Sequence, residues 1–170
     1  MPNPAYSFTA EEARQAHDSW GCNCGPSALA TILGITLDQV RTAVELVGFA
    51  EKRYTSPSMM EAAIGNAGGS LWQRNYLTAV RDQNFPNCGL ARIQWTGPWE
   101  ADGANPKWRY RQTHWVASWR HDHLISIFDV NGGIRSIADW KKEIVPLIVA
   151  SVPRADGGWY VTHSWEVERA

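Results

Sequence analysis

The stretch Gly21-Cys22-Asn23-Cys24-Gly25-Pro26-Ser27-Ala28-Leu29-Ala30-Thr31-Ile32-Leu33 constrains this chain more than any other. A thiol followed at once by glycine and proline, then by small and apolar residues at helical spacing, predicts a helix that Pro26 opens and Gly34 closes. Cys24 then sits at the helix mouth, where the first backbone N–H groups lack acceptors and the dipole is positive. Both effects favour a thiolate and lower the thiol pKa. Cys24 is therefore the candidate nucleophile, and its own N–H a candidate oxyanion donor. The plain alternative is a structural cysteine, since free Cys is among the most buried residue types. A lone Cys becomes a catalytic candidate only when a histidine and a carboxylate or amide join it.

Around this stretch the start and stop signals are local. Thr9 and Glu12 have capping-box spacing and predict a short helix from Glu11 to His17. Thr36 and Gln39 repeat the pattern ahead of Leu37, Val40, Val44 and Val47, an apolar stripe stopped by Gly48. Ser56-Pro57 opens another helix, through Met59, Met60, Ala63 and Ile64 to the Gly68-Gly69 stop. From Leu71 to Asp82 no period separates helix from strand.

Leu90 to Trp95 alternates as a strand does, and Thr96 to Pro106 is a loop rich in Gly, Pro and Asn. Arg109 to Trp119 and Leu124 to Val130 predict two strands joined by Arg120-His121-Asp122-His123. A short helix from about Ile137 carries Trp140 and is ended by Pro146. Leu147 to Val152 and Trp159 to Val167 predict a terminal hairpin across Asp156-Gly157. Helices first and strands afterwards imply an α+β fold, N-terminal helices packed on a C-terminal antiparallel sheet. At 170 residues, 44% of them hydrophobic, the chain is expected to form one domain over 1–170.

The hairpin supplies the partners that Cys24 needs. A turn centred between His121 and Asp122 sets His114 directly opposite Asp129 on one face, within hydrogen-bond reach. The carboxylate would fix the tautomer of the ring and stabilise its cation, leaving the other nitrogen to take a proton from Cys24. Asn131 faces the same way and is the alternative orienting group, but it requires the turn to move one residue on. The plain alternative makes His114 a core histidine and leaves Asp129 and Asn131 as turn formers before Gly132-Gly133.

This order resembles the papain-like cysteine peptidases. The carrying segments are Asn23 to Ala30, two further helices, His114-Trp115-Val116 and Ile127-Phe128-Asp129. It looks most like the compact bacterial group related to peptidases that cleave double-glycine leaders from bacteriocins, over Gln15 to about Gly133. The resemblance implies a papain-like cysteine proteinase fold, with Cys24 as nucleophile, His114 as general base and acid, and Asp129 as orienting group. It also implies an oxyanion-donating Gln six residues before the Cys. Asp18 stands there, so Gln15, nine before, is the side-chain candidate and Asn23 the second.

The expected function is thus a thiol hydrolase, a cysteine peptidase or isopeptidase/amidase working by Cys-His-Asp acyl transfer on a peptide or protein substrate. The rival is a catalytically inactive papain-like binding module of a phage or mobile-element protein set. A formal net charge of −1 gives no reason to expect nucleic acid or an anionic membrane as partner. Met1 to Tyr6 lacks a signal-peptide pattern, and no apolar run approaches membrane-spanning length, so a cytoplasmic protein is expected.

Neither a cofactor nor a metal is expected. A zinc site from Cys22, Cys24, Cys88 and the His121-Asp122-His123 cluster would lack the usual ligand spacing. Cys22 is a candidate redox partner of Cys24, His17 and His163 read as surface or cap residues, and Trp99, Trp108 and Trp115 as candidate cleft walls.

Overall fold

Local signals set the N-terminal helices. In the computed structural model, which describes residues 7–76 and 85–169, Thr9 closes a capping box with Glu12 at the start of α1 (Ala10–Trp20). Asn23 caps α2 (Cys24–Leu33), which ends on Gly34 in the left-handed region. Thr36 and Gln39 form the second capping box on α3 (Leu37–Glu45). A single turn, α4 (Phe49–Lys52), precedes α5 (Pro57–Asn66), where Ser56 is the cap and Pro57 occupies the first turn. The α2 helix begins two residues before Pro26. That proline falls within the first turn, where a missing N–H leaves no intrahelical bond unmade.

Six strands follow among the described residues: β1 (Gly69–Tyr76), β2 (Cys88–Trp95), β3 (Thr113–His121), β4 (Leu124–Asp129), β5 (Gly133–Ser136) and β6 (Trp159–Arg169). They form one antiparallel sheet in the order β1-β6-β2-β3-β4-β5. Between β2 and β3 lies α6 (Pro106–Arg109), and between β5 and β6 lie α7 (Ile137–Asp139), a π turn (Trp140–Ile144) and α8 (Val145–Ser151). The α+β class with helices ahead of an antiparallel sheet is as the sequence predicts.

Both faces of the sheet are covered, so its central strands are apolar on both sides. Trp115, Ala117 and Trp165 pack with Leu29, Leu33 and Met60 of the N-terminal helices. Val116, Ile127 and Val161 pack on the opposite face with Trp140, Ile144 and Ile148. The alternation of β3 thus sends Trp115 to one layer and the residues on either side of it to the other. Among the described residues no helix is long and apolar enough to cross a membrane.

Several expectations change. The β3–β4 turn is one residue later than expected: His121 pairs with Leu124, and Asp122 takes a left-handed conformation in a two-residue turn with His123. Leu147 to Ser151 is helical rather than a strand, so the terminal hairpin does not exist; β6 pairs with β1 and β2 instead. Pro146 does not end the helix. The ladder there is already widened, with the Val145 N–H reaching the Trp140 carbonyl, and Pro146 enters in the first turn of α8, where it disrupts little. Strand β1 resolves the ambiguity of Leu71 onward as far as Tyr76; the rest of that stretch, to Asp82, and the Met1 to Tyr6 segment lie outside the described residues.

Candidate active site

The first turn of α2 is held from three sides. Asn23 Oδ1 accepts from the Gly25 N–H at 3.2 Å, and its Nδ2 donates to the Arg53 carbonyl at 3.0 Å. Trp115 Nε1 donates to the Thr55 carbonyl at 2.9 Å, tying the loop before α5 to β3. Gly25 lies directly under Thr55: a Cβ there would stand 2.0 Å from Thr55 Oγ1. Gly25→Ala is expected to destabilise the protein by about 1–3 kcal/mol through this overlap, read as a lowered urea midpoint; an unchanged midpoint would show that the turn is not held this way.

Cys24, the first residue of this helix, is partly buried, and its N–H has no acceptor within the helix. Its sulfur lies close enough to the His114 ring and the Trp115 N–H for both to stabilise a thiolate there. His114, at the start of β3, directs Nε2 to Asp129 Oδ2 at 2.9 Å. A carboxylate only accepts, so Nε2 carries the proton and Nδ1 faces the sulfur. The ring of Trp95 lies 6.2 Å from the imidazole, centroid to centroid.

Asp129 is fully buried, and both of its oxygens are occupied. Oδ2 also accepts from Trp140 Nε1 at 2.8 Å, and Oδ1 accepts from the Asn131 N–H at 2.9 Å and its Nδ2 at 3.0 Å. With the turn displaced by one residue, Asp129 is a diagonal rather than a direct neighbour of His114, and a carboxylate still spans that distance. Although the displaced turn is the one that favours Asn131 opposite His114, the Asn131 hydrogen bonds go to Asp129 and orient that carboxylate. Gly132 lets this turn close against the π turn, since a Cβ there would meet Ile144 Cδ1 at 2.2 Å.

These contacts bias the charge states. Burial alone would raise the Cys24 pKa, but the His114 cation and the hydrogen bonds from His114 and Trp115 outweigh it and hold the thiol below its ordinary value. Burial opposes the His114 cation as well; Asp129 and the Cys24 thiolate overcome it and raise the imidazole to about 10. Asp129 is held below the usual carboxylate range against its own burial, by His114, Trp140 and Asn131. The arrangement favours thiolate, imidazolium and carboxylate together.

Cys22 differs from Cys24 at every point. It is buried in the helical layer with its sulfur 3.4 Å from Ser27 Oγ, and burial pushes its thiol up to about 11.

The remaining sequence candidates fall elsewhere. Gln15 Nε2 donates to Glu11 on the exposed side of α1, next to Ser19 and Asp38 rather than Cys24. The Asn23 amide is committed at both ends to capping and to Arg53. Trp115 is core, Trp99 donates to the Trp95 carbonyl beside the second core layer, and Trp108 is exposed; none of the three lines the cavity at Cys24. His163 is half-buried on β6 rather than on the surface, and burial and the Arg92 charge lower it to about 4. Among the described residues no group of three or more His, Cys, Asp or Glu side chains is placed to hold a metal ion.

Two residues of the site escaped the sequence reading. Trp140 bonds Asp129 from a π turn that no periodicity announces, and nothing singles it out among ten tryptophans. His17 lines the same cavity as Cys24 and donates from Nδ1 to the Cys22 carbonyl at 2.9 Å. Its place in the last turn of α1, one turn before the Cys24 loop, was the available signal. No protein-family model, curated protein or solved structure matches the chain at a significant level.

Proposed function

We propose that this protein is a thiol hydrolase of papain-like fold that cleaves a peptide or other amide bond by acyl transfer. The reading rests above all on Cys24 Sγ facing His114 at a helix N-terminus, with the far nitrogen of that imidazole held 2.9 Å from a buried carboxylate. In the mechanism, the Cys24 thiolate adds to the carbonyl carbon and the carbonyl oxygen takes the negative charge near the Cys24 N–H. His114 gives its Nδ1 proton to the departing amine, leaving a thioester on Cys24. Water, deprotonated by the now neutral His114, then releases the acid and the thiolate. Asp129 stays ionised throughout and holds the ring in the productive tautomer.

A second reading, a papain-like module that binds without catalysis, draws on the positions of Gln15 and Asn23, which leave the oxyanion without the expected side-chain donor. The two readings part on p-nitrophenyl acetate. The hydrolase should release a burst of p-nitrophenol, carry one acetyl group on Cys24 by peptide mass mapping, and turn over slowly; Cys24→Ala should give neither burst nor acetyl-peptide. A wild-type protein that acquires no acetyl group on Cys24 would leave the binding module as the better account.

A further inference from the structure

A cavity of about 640 Å³ runs from Cys24 past His114 to the turn after β4, a size suited to one or two residues of a peptide. Its walls away from the sulfur are Phe8, Ala10 and Ala13 on the helical side and Phe128, Val130 and Gly133 on the sheet side. Phe8 and Phe128 meet edge to face at 5.7 Å. The polar groups along it are already engaged. Arg14 is paired with Glu11 at 2.7 Å and Asp18 at 3.7 Å, the Cys22 sulfur with Ser27, and His17 Nδ1 with the Cys22 carbonyl.

The position of the cavity relative to His114 decides which half of a substrate enters it. The leaving nitrogen must come within reach of the His114 ring to collect its proton. His114 itself lines this cavity, together with the end of β4 and the turn that follows it, so a nitrogen within reach of the ring sits inside it. We infer that this cavity receives the leaving-amine side of the substrate and takes an apolar residue there, directly after the bond that is cut. The inference rests on the hydrolase reading above. A charged side chain would lose its hydration against Phe8, Phe128 and Val130 with no free partner in return.

Partition of the acetyl-enzyme tests this. Once p-nitrophenyl acetate has acetylated Cys24, an added amino acid amide competes with water. Its nitrogen adds to the thioester carbonyl, the C–S bond breaks to return the thiolate, and the proton of the amine passes to His114.

Leucinamide and phenylalaninamide should capture the acetyl group at least about tenfold more efficiently than glycinamide or the α-amide of aspartic acid, the discrimination expected of an apolar pocket. Ala13→Phe, which fills the slot from α1, should bring the leucinamide-to-glycinamide ratio close to one, and Ala10→Phe should do the same from one turn earlier. Each ratio is internal to one protein, so it does not depend on how fast that protein is acetylated, and either variant suffices if the other does not fold. A wild-type ratio near one, or a ratio that survives in a folded variant, overturns the inference while leaving the hydrolase reading in place. Failure of the wild type to form acetyl-Cys24 overturns both.

Discussion

Asp129→Ala is expected to cost about 3–5 kcal/mol of folding stability near pH 6, the range for stripping one partner from a buried charge pair. The carboxylate has no exposed surface and is the common acceptor for His114, Trp140 and Asn131. Removing it strands the indole N–H of a fully buried Trp140 and leaves a buried imidazole that can no longer be held as a cation.

The pH dependence follows from the two shifts. The His114 pKa is raised from 6.5 to about 10, so its contribution is complete below about 6.5 and is lost as pH rises through about 10. The Asp129 pKa is lowered from 3.8, so its contribution is present above that value and is lost as pH falls through the depressed one. The difference between wild type and Asp129→Ala should therefore be widest between about pH 4 and 6.5 and narrow on either side. Urea denaturation across that range measures it, and a loss under 1 kcal/mol at pH 6 would show that the four hydrogen bonds do not form as described. Asp129→Asn keeps the shape but has a single acceptor oxygen, so its NH2 must face donors either from His114 and Trp140 or from Asn131, and it should recover only part of the loss.

His114→Ala should slow alkylation of Cys24 by iodoacetamide about ten- to a hundredfold at pH 7. With its cationic partner in place, Cys24 is expected to react as a thiolate below its ordinary pKa of 9.0. Without it, burial dominates and the thiol stays protonated, although the more basic thiolate that remains is intrinsically the better nucleophile and returns part of the rate. The wild-type rate profile should be flat across neutral pH, whereas the variant should climb with pH beyond 8. Cys22 sets the internal control: with its thiol pushed up to about 11, it should remain unmodified in the folded protein while Cys24 is consumed. Equal labelling of Cys22 and Cys24 in the native protein, or a wild-type profile that titrates near 9, would remove the electrostatic basis of the proposed chemistry.

What the sequence disclosed was short in range. Thr9 with Glu12, Thr36 with Gln39, and Ser56 with Pro57 each fix a helix start from residues within one turn, and all three signals are realised. Cys24, His114 and Asp129 come together because a helix mouth and a hairpin are also local objects. The hairpin register was harder, since moving the turn by one residue changes every pairing while leaving the polar link nearly unchanged.

The rest depends on partners distant in the chain. Leu147 to Ser151 is apolar enough for a strand, yet it becomes helix because Ile144, Val145 and Ile148 find a vacant sheet face. Gln15 fits the composition of an oxyanion donor, but its position on α1 aims it at Glu11, while His17, on the face toward Cys24, carries no motif that names it.

The place of β6 has a consequence for how the polypeptide matures. It lies between β1 and β2, so the two earlier strands are not paired with each other and the backbone edges they turn toward it stay open until it arrives. During synthesis the thiol at α2 emerges long before the element that locks the layer beneath it. An immature chain thus carries its most reactive atom ahead of a finished scaffold, and contacts this remote in sequence delay closure. Acquisition of reactivity should be one of the last events of folding.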